Sequence, residues 1–311
     1  MPVRMMCGVP SPRKVAATAL VGSTAALTGF YGTVLAEAVM ARKVIGVTDD
    51  RPPSPDGLYG DDLPGEPVRV LVAGDSAAVG YGTDRADQTP PGLIGIGLSH
   101  VLDCPVDVRS VAVVGAQTSD LPGQLEIGLE HKPDVVVIIV GANDVTHRVS
   151  PRTSARRLGA VVRDLTSRNI EVVVGTCPDL GLVRPLQQPL RWYAHQVSTH
   201  LAKRQTVAVA RNGGRAVSLG ELLGRLFLEH HDTMFGADRF HPSARGYANM
   251  AAVLLPAITG ALREHETGRV PFFDVPRDLM PLGAAAAQAS HEAGTEVVGA
   301  GRWATVRRRR G

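Results

Sequence analysis

The chain has 311 residues, 44% hydrophobic and 20% charged, which suffices for a packed core in one large domain or two small ones. A formal net charge of +3 is too small for a nucleic-acid binder, and the 29 arginines (against 4 lysines) are scattered rather than banded. Aromatic residues make up only 4%, so Ala, Val and Leu must fill the core.

Residues 1–45 carry the pattern of a targeting segment. Arg4, Arg13 and Lys14 precede an uncharged stretch, Val15–Ala36, which as a helix would span about 33 Å, close to a bilayer core. Gly22, Gly29, Gly32, Ser23 and four threonines keep it weakly hydrophobic, and Ala36-Glu37-Ala38 has the small-x-small form of a cleavage site. A cleaved signal peptide and a retained membrane anchor both stay open. Under either, the remaining chain is expected outside the cytoplasmic membrane, secreted or held at the membrane or cell envelope. Residues 46–67, with Arg51-Pro52-Pro53-Ser54-Pro55-Asp56-Gly57, read as a linker.

The folded domain is expected over residues 68–265. Val68–Ala73 is the first predicted strand, Val106–Val114 the second, Asp134–Val140 the third, Ile170–Gly175 the fourth and Arg215–Leu219 a short fifth. The third, Asp-Val-Val-Val-Ile-Ile-Val, is continuous and β-branched, as a strand buried on both faces should be. Helical patterns run over Gly92–Leu102, Gln117–Glu130, Pro151–Arg168, Leu186–Arg211 and Ser243–His265. Strands alternating with crossovers of this length imply a parallel sheet with helices on both faces, whose functional groups gather at the carboxyl ends of the strands. Residues 266–311, including the Ala/Gly-rich Gly283–Gly301 and the run Arg307–Arg310, read as a partly disordered, solvated tail.

Cys104 stands just before one strand and Cys177 just after another, at opposite ends of a parallel sheet, so two separate, mostly buried thiols are expected rather than a bridge. No His/Cys spacing suits a zinc site; His230-His231-Asp232 has no second ligand pair, and neither metal nor cofactor is expected. His195 and His200, on a long predicted helix, read as surface residues.

Four turns carry chemistry. The first strand runs into Gly74-Asp75-Ser76-Ala77-Ala78-Val79-Gly80, where a serine on a tight strand-to-helix turn holds its hydroxyl at the sheet edge beside a backbone N–H. A phosphate loop is a poor reading because no Gly-Lys-Ser/Thr follows; helix capping by the serine is the plain alternative. The second strand ends in Val114-Gly115-Ala116-Gln117-Thr118 and the third in Gly141-Ala142-Asn143-Asp144. Gly115 N–H and the Asn143 amide could complete an oxyanion hole with Ser76 N–H; the plainer reading gives a turn glycine and helix caps. Asp238-Arg239-Phe240-His241-Pro242 sets a carboxylate and an imidazole three apart on one turn, with Pro242 in the first turn of the next helix.

Together these segments resemble the four blocks of the SGNH/GDSL hydrolase family: Gly-Asp-Ser, a glycine after the second strand, Gly-x-Asn-Asp, and Asp-x-x-His before the last helix. Ala77 stands where the family's name motif has Leu. The resemblance implies a flavodoxin-like three-layer α/β/α sandwich with a five-stranded parallel sheet. It implies a serine esterase acting on small esters or lipids, with Ser76 as nucleophile, His241 as base and Asp238 as its orienting carboxylate; small or medium acyl esters are expected because the sequence has no long apolar insertion to form a deep lipid tunnel. Ser76, Gly115 and Asn143 would form the oxyanion hole. A transacylase or deacetylase of cell-envelope sugars, a thioesterase or lysophospholipase, and a non-catalytic module are the alternatives. His147, close behind Asn143, and Trp192, at the end of the apolar segment from Pro178, are candidate substrate contacts. Asp75 and Asp144 read as loop braces rather than proton-transfer groups.

Overall fold

The computed structural model describes residues 52–220, 229–266, 279–292, 294–300 and 303–308, together with the single positions 29, 32, 33, 37 and 227. The expected signal or anchor in residues 1–45 therefore lies outside the described residues except at those positions. Of these, Glu37 accepts the Leu190 N–H at 2.9 Å. No helix among the described residues is long and apolar enough to cross a membrane.

The sheet is built around five parallel strands: β2 (Val68–Gly74), β3 (Val106–Ser110), β4 (Val135–Ile139), β5 (Glu171–Gly175) and β6 (Arg215–Val217). Their spatial order is β3-β2-β4-β5-β6, which is the flavodoxin-like order for five strands taken in sequence. The expected three-layer α/β/α sandwich is thus present. The order reverses direction next to β2, so the chain leaves β2 and β4 side by side at the point where loops splay apart.

Strand pleating sends alternate side chains to opposite layers. Val70, Val72, Val135, Val137 and Ile139 pack toward α2 (Pro90–Leu102) and α8 (Ala244–Glu266), through Ile94, Leu98, Leu254 and Ile258. Leu71, Ala73, Val136, Ile138 and Val140 pack on the other side against Leu121, Leu125, Leu158, Leu165 and Val209. Those belong to α3 (Leu121–Gly128), α5 (Pro151–Ser167) and α6 (Leu190–Arg211). The short helices α1 (Ser76–Val79), α4 (Ala142–Thr146) and α7 (His231–Met234) lie in the connecting segments.

Three parts differ from the reading of the sequence. The second strand stops at Ser110, four residues early. Val111 and Val113 still donate to the Val72 and Gly74 carbonyls, but the chain then bends away as a loop, leaving Val113 and Val114 exposed. Apolarity there does not mean burial. Within the expected linker, Gly57–Tyr59 forms β1 and pairs antiparallel with β3.

The largest difference follows the last long helix. Residues taken as a tail form β7 (Leu279–Pro281), α9 (Leu282–Ala289), β8 (Thr295–Ala300) and β9 (Trp303–Arg308). They extend the sheet antiparallel from β6 in the order β6-β8-β9-β7, with Arg307 and Arg308 inside β9 rather than in a solvated run. The small side chains explain why this segment looked structureless: Ala285, Ala286 and Ala289 are buried beside Leu282, Val297 and Val306, where only small residues let α9 lie close. Gly299 serves the same end, since a Cβ there would stand 2.2 Å from the Ala210 carbonyl oxygen.

A buried ion pair fastens this extension. Arg215 Nη1 on β6 donates to Glu296 Oε1 on β8 at 2.7 Å, with both side chains almost wholly out of solvent. Glu296→Ala would remove the carboxylate facing a buried guanidinium and should lower the unfolding free energy by ~3–5 kcal/mol in a urea titration; replacing both partners with Met and Leu should cost less.

Candidate active site

The Ser76 turn begins with a close approach of two strands. Gly74 at the end of β2 lies opposite Ile139 of β4, and Asp75 N–H donates to the Ile139 carbonyl at 3.0 Å. A Cβ on Gly74 would sit 1.9 Å from that carbonyl oxygen, and its φ of 141° falls where L side chains are strained, so only glycine serves. Gln124 of α3 pins the same residue from behind: its Oε1 accepts the Gly74 N–H at 2.8 Å and its Nε2 donates to the Gly74 carbonyl at 2.9 Å. Ser76 then opens α1. It is not the cap; Asp75 is, accepting the Ala77 N–H at 3.0 Å.

Asp75 also ties this turn to the next. Its second oxygen accepts the Gly141 N–H at 3.3 Å, at the start of the β4 loop. Burial pushes the Asp75 carboxyl up to about 6, with Asp144 acting in the same direction; the Ala77 and Gly141 N–H groups and the charge of His241 oppose it.

The β4 loop is braced by its own acidic residue. Asp144 is fully buried and accepts from Thr118 N at 3.1 Å and Thr118 Oγ1 at 2.8 Å, and Thr118 in turn meets Ser154 Oγ at 3.0 Å. Asn143 donates from Nδ2 to the Ala116 carbonyl at 3.1 Å. Neither residue caps α4, whose N-cap is Gly141 with no side-chain bond. Both instead join the β4 loop to the Gly115–Thr118 loop, which brings Asn143 next to Gly115, a residue with φ 85°.

The third segment reaches in from the far end of the sequence. Asp238 Oδ1 accepts the backbone N–H groups of Phe240 and His241, each at 3.0 Å, around a turn whose Arg239 has left-handed φ of 56°. Its Oδ2 lies 2.6 Å from His241 Nδ1, and His241 Nε2 lies 2.8 Å from Ser76 Oγ. Burial pushes the Asp238 carboxyl up, but the hydrogen bonds from His241 and the backbone, with the imidazole charge, outweigh it and hold it below the ordinary value. Two rings pack against the imidazole, Tyr81 tilted at 4.6 Å and Phe240 edge-on at 4.9 Å. Pro242 lies ahead of α8 rather than in its first turn. It bridges to Phe235 while Ser243 takes the capping position, accepting Gly246 N–H at 3.2 Å.

Thus Ser76, His241 and Asp238 are joined by hydrogen bonds at the carboxyl edge of the sheet, and Asn143 is tied to the Gly115–Ala116 loop at the same edge. His147 is exposed one turn beyond Asn143, with Nδ1 2.9 Å from the Asn143 carbonyl oxygen. Trp192 is exposed in the first turn of α6. His195, read as a surface residue, lies 2.6 Å through Nδ1 from Asp179 Oδ2 and pins the β5–α6 segment. Cys177 is buried against Gly141, Cys104 is half-buried, and no disulfide joins them. The sequence reading missed Gln124, Tyr81 and Gln205, which joins the Val140 carbonyl to Cys177 N–H. A lone glutamine on a helix carries no local signal.

A hydroxyl, imidazole and carboxylate in a row, at the carboxyl edge of a flavodoxin-like sheet, is the arrangement of a hydrolase that works through serine. The GDSL-like Lipase/Acylhydrolase family matches residues 72–248. A GDSL-like esterase of Mycobacterium tuberculosis is 39% identical over 274 residues, covering 82% of this chain and 87% of its own. Among solved structures, an α/β hydrolase from the Lake Arreo metagenome has 19% identity and a TM-score of 0.50, covering 63% of this chain and 96% of its own. A lipase/acylhydrolase from Enterococcus faecalis has 23% identity and a TM-score of 0.49, covering 62% and 96%. The chain belongs to the GDSL-like lipase/acylhydrolase family and is a carboxylic ester hydrolase.

The raised carboxyl of Asp75 has a thermodynamic signature. Between its ordinary value of 3.8 and about 6 the folded protein holds a proton that the unfolded chain releases, so this group's stabilising contribution is full below pH 4 and is lost as pH rises through 6. Comparing unfolding free energies of wild type and Asp75→Asn, the difference should move against wild type by about 2–3 kcal/mol from pH 4 to pH 7.

Proposed function

We propose that the protein hydrolyses small to medium acyl esters in two steps through an acyl-enzyme on Ser76. His241 takes the hydroxyl proton at Nε2 as Ser76 Oγ attacks the ester carbonyl carbon. Asp238 keeps the other proton on Nδ1 and stabilises the imidazolium. The carbonyl oxygen, now negative, is received by the backbone N–H groups of Ser76 and Gly115 and by the Asn143 side-chain amide. The C–O bond to the alcohol breaks and His241 returns its proton to the departing oxygen. Water, deprotonated by His241, then attacks the acyl-enzyme and releases the acid.

One observation carries this reading: the 2.8 Å contact of His241 Nε2 with Ser76 Oγ, backed at 2.6 Å by Asp238, between residues 165 apart in sequence. The role of Asn143 is supported by its bond to Ala116, which leaves the second amide hydrogen available beside Gly115. His147 and Trp192, both exposed at this edge of the chain's loops, are proposed contacts for the alcohol or acyl part. The reaction is proposed to take place outside the cytoplasmic membrane, on the strength of the charge and hydropathy pattern of residues 1–45.

A fluorophosphonate probe should label the wild type and fail to label Ser76→Ala, whose turnover of a p-nitrophenyl ester should fall by roughly 10³ or more. Labelling that persists in that variant would identify a different nucleophile and end this reading. Asn143→Ala should lower kcat by about 10²–10³, with a stability loss of only about 0.5–1.5 kcal/mol from its bond to Ala116.

A further inference from the structure

The short helix α7 carries a histidine that the proposed reaction does not use. His231 keeps only 4% of its side chain in contact with water, and its ring centre lies 4.6 Å from that of Phe235. Nδ1 stands 3.6 Å from Asp232 Oδ1, too far for a hydrogen bond, and the Asp232 side chain is 97% exposed. Nε2 is buried with no partner among the described residues. Uncharged, the ring leaves a single weak polar atom unmet. Protonated, it would place a charge and an N–H donor where no acceptor stands.

The residues packed beside this ring also hold the turn that carries His241. Gly236 N–H donates to the His241 carbonyl at 2.8 Å, and Ser243 N–H to the Met234 carbonyl at 2.8 Å. Ser243 Oγ donates to the Thr233 carbonyl at 2.6 Å, and Phe235 bridges to Pro242. All of these ties end on residues 233–236. Phe235, which packs on the His231 ring, also donates its N–H to the His231 carbonyl at 3.1 Å. A shift of His231 therefore moves the surface on which the His241 turn rests.

The charges around the ring set the direction. Burial and Arg184, on the β5–α6 segment, hold the imidazole below its ordinary value of 6.5, against the attraction of Asp232. Arg239, on the His241 turn itself, acts in the same direction as Arg184. From the other side α8 meets α7 at Gly246, an uncharged residue whose Cβ would stand 2.5 Å from the Met234 carbonyl oxygen. Glu229 and His230, both exposed, precede the ring in the chain.

We propose that His231 is a positioning residue for the esterase reaction: its neutral ring keeps the α7 contacts that set His241 against Ser76, and a proton on it releases them. The proposal rests on His241 being the base, as set out above. The closed turn favours the neutral ring, whereas an opened turn lets it protonate at the ordinary value. The closed state is therefore at full strength above pH 6.5 and weakens as pH falls below it, by up to about tenfold in population per pH unit. That loss multiplies the one caused by protonating His241 directly.

The test follows kcat/KM on p-nitrophenyl acetate between pH 7.5 and pH 5 in the full chain, His231→Phe and His231→Gln; neither substitute takes up a proton in this range. Asp75, Asp238 and His241 are present in all three proteins and drop out of the comparison. Wild type should lose on the order of 10-fold more activity on acidification than either variant, its logarithmic acid limb steepening from slope one toward two. Amide exchange of residues 231–243, corrected for the intrinsic rate at each pH, should quicken in wild type at pH 5 while residues 68–79 stay protected. This second measurement needs no variant, so it decides even if both substitutions misfold. Unchanged protection of residues 231–243 overturns the proposal, as do acid limbs of equal slope in the three proteins. A wild type whose 231–243 segment opens in acid but which cleaves no ester overturns the esterase reading itself, and the positioning role with it.

Discussion

The site depends on one steric constraint, the approach of the β2 and β4 backbones at Gly74 and Ile139. With no Cβ to hold the strands apart, Asp75 bonds the Ile139 carbonyl and its side chain reaches Gly141. That places the serine turn and the loop carrying Asn143 in one rigid unit. Gln124 closes the unit from below by holding both polar groups of Gly74. Burial of a carboxylate is unfavourable in itself, as its raised proton affinity records, and the N–H groups it ties together offset that cost.

The same logic organises the segment that carries Asn143. Asp144 and Thr118, with Ser154 behind, join the loop after β4 to the loop after β3, and Asn143 adds a bond to Ala116. Three loops that share no sequence neighbourhood are thereby held at fixed spacing before any substrate arrives. Preorganisation of this kind is what lets backbone and amide donors act on a developing charge without reorganising. The histidine turn, by contrast, is held mainly by its own short-range bonds, Asp238 to Phe240 and His241, and by the flanking Tyr81 ring.

The C-terminal extension adds a second constraint away from the chemistry. By pairing β8 with β6 and burying Arg215 against Glu296, it covers what would be the open edge of the parallel sheet. Its residues are small and its packing close, so its stability rests on exact fit of α9 and Gly299 rather than on large side chains.

The sequence alone determined the strand–helix alternation, with its parallel sheet between helices, and the candidate turns, through local signals: β-branched runs, glycine at a turn, Asp and His three apart. The flavodoxin-like class came from the family resemblance that those turns carry together. It also gave Asp75 and Asp144 as braces, because short carboxylates at strand ends favour nearby N–H groups. Tertiary structure decided what periodicity cannot carry. Val113 and Val114 look like strand interior but emerge into water, because the chain must leave the sheet there to present Gly115. Residues 279–308 look like a flexible tail but join the sheet, because small side chains that make weak local signals permit the closest packing once a partner surface exists. Gln124, Tyr81 and the His195–Asp179 contact were illegible for the same reason: their meaning lies in partners distant along the chain, and only the folded backbone brings those within bonding distance.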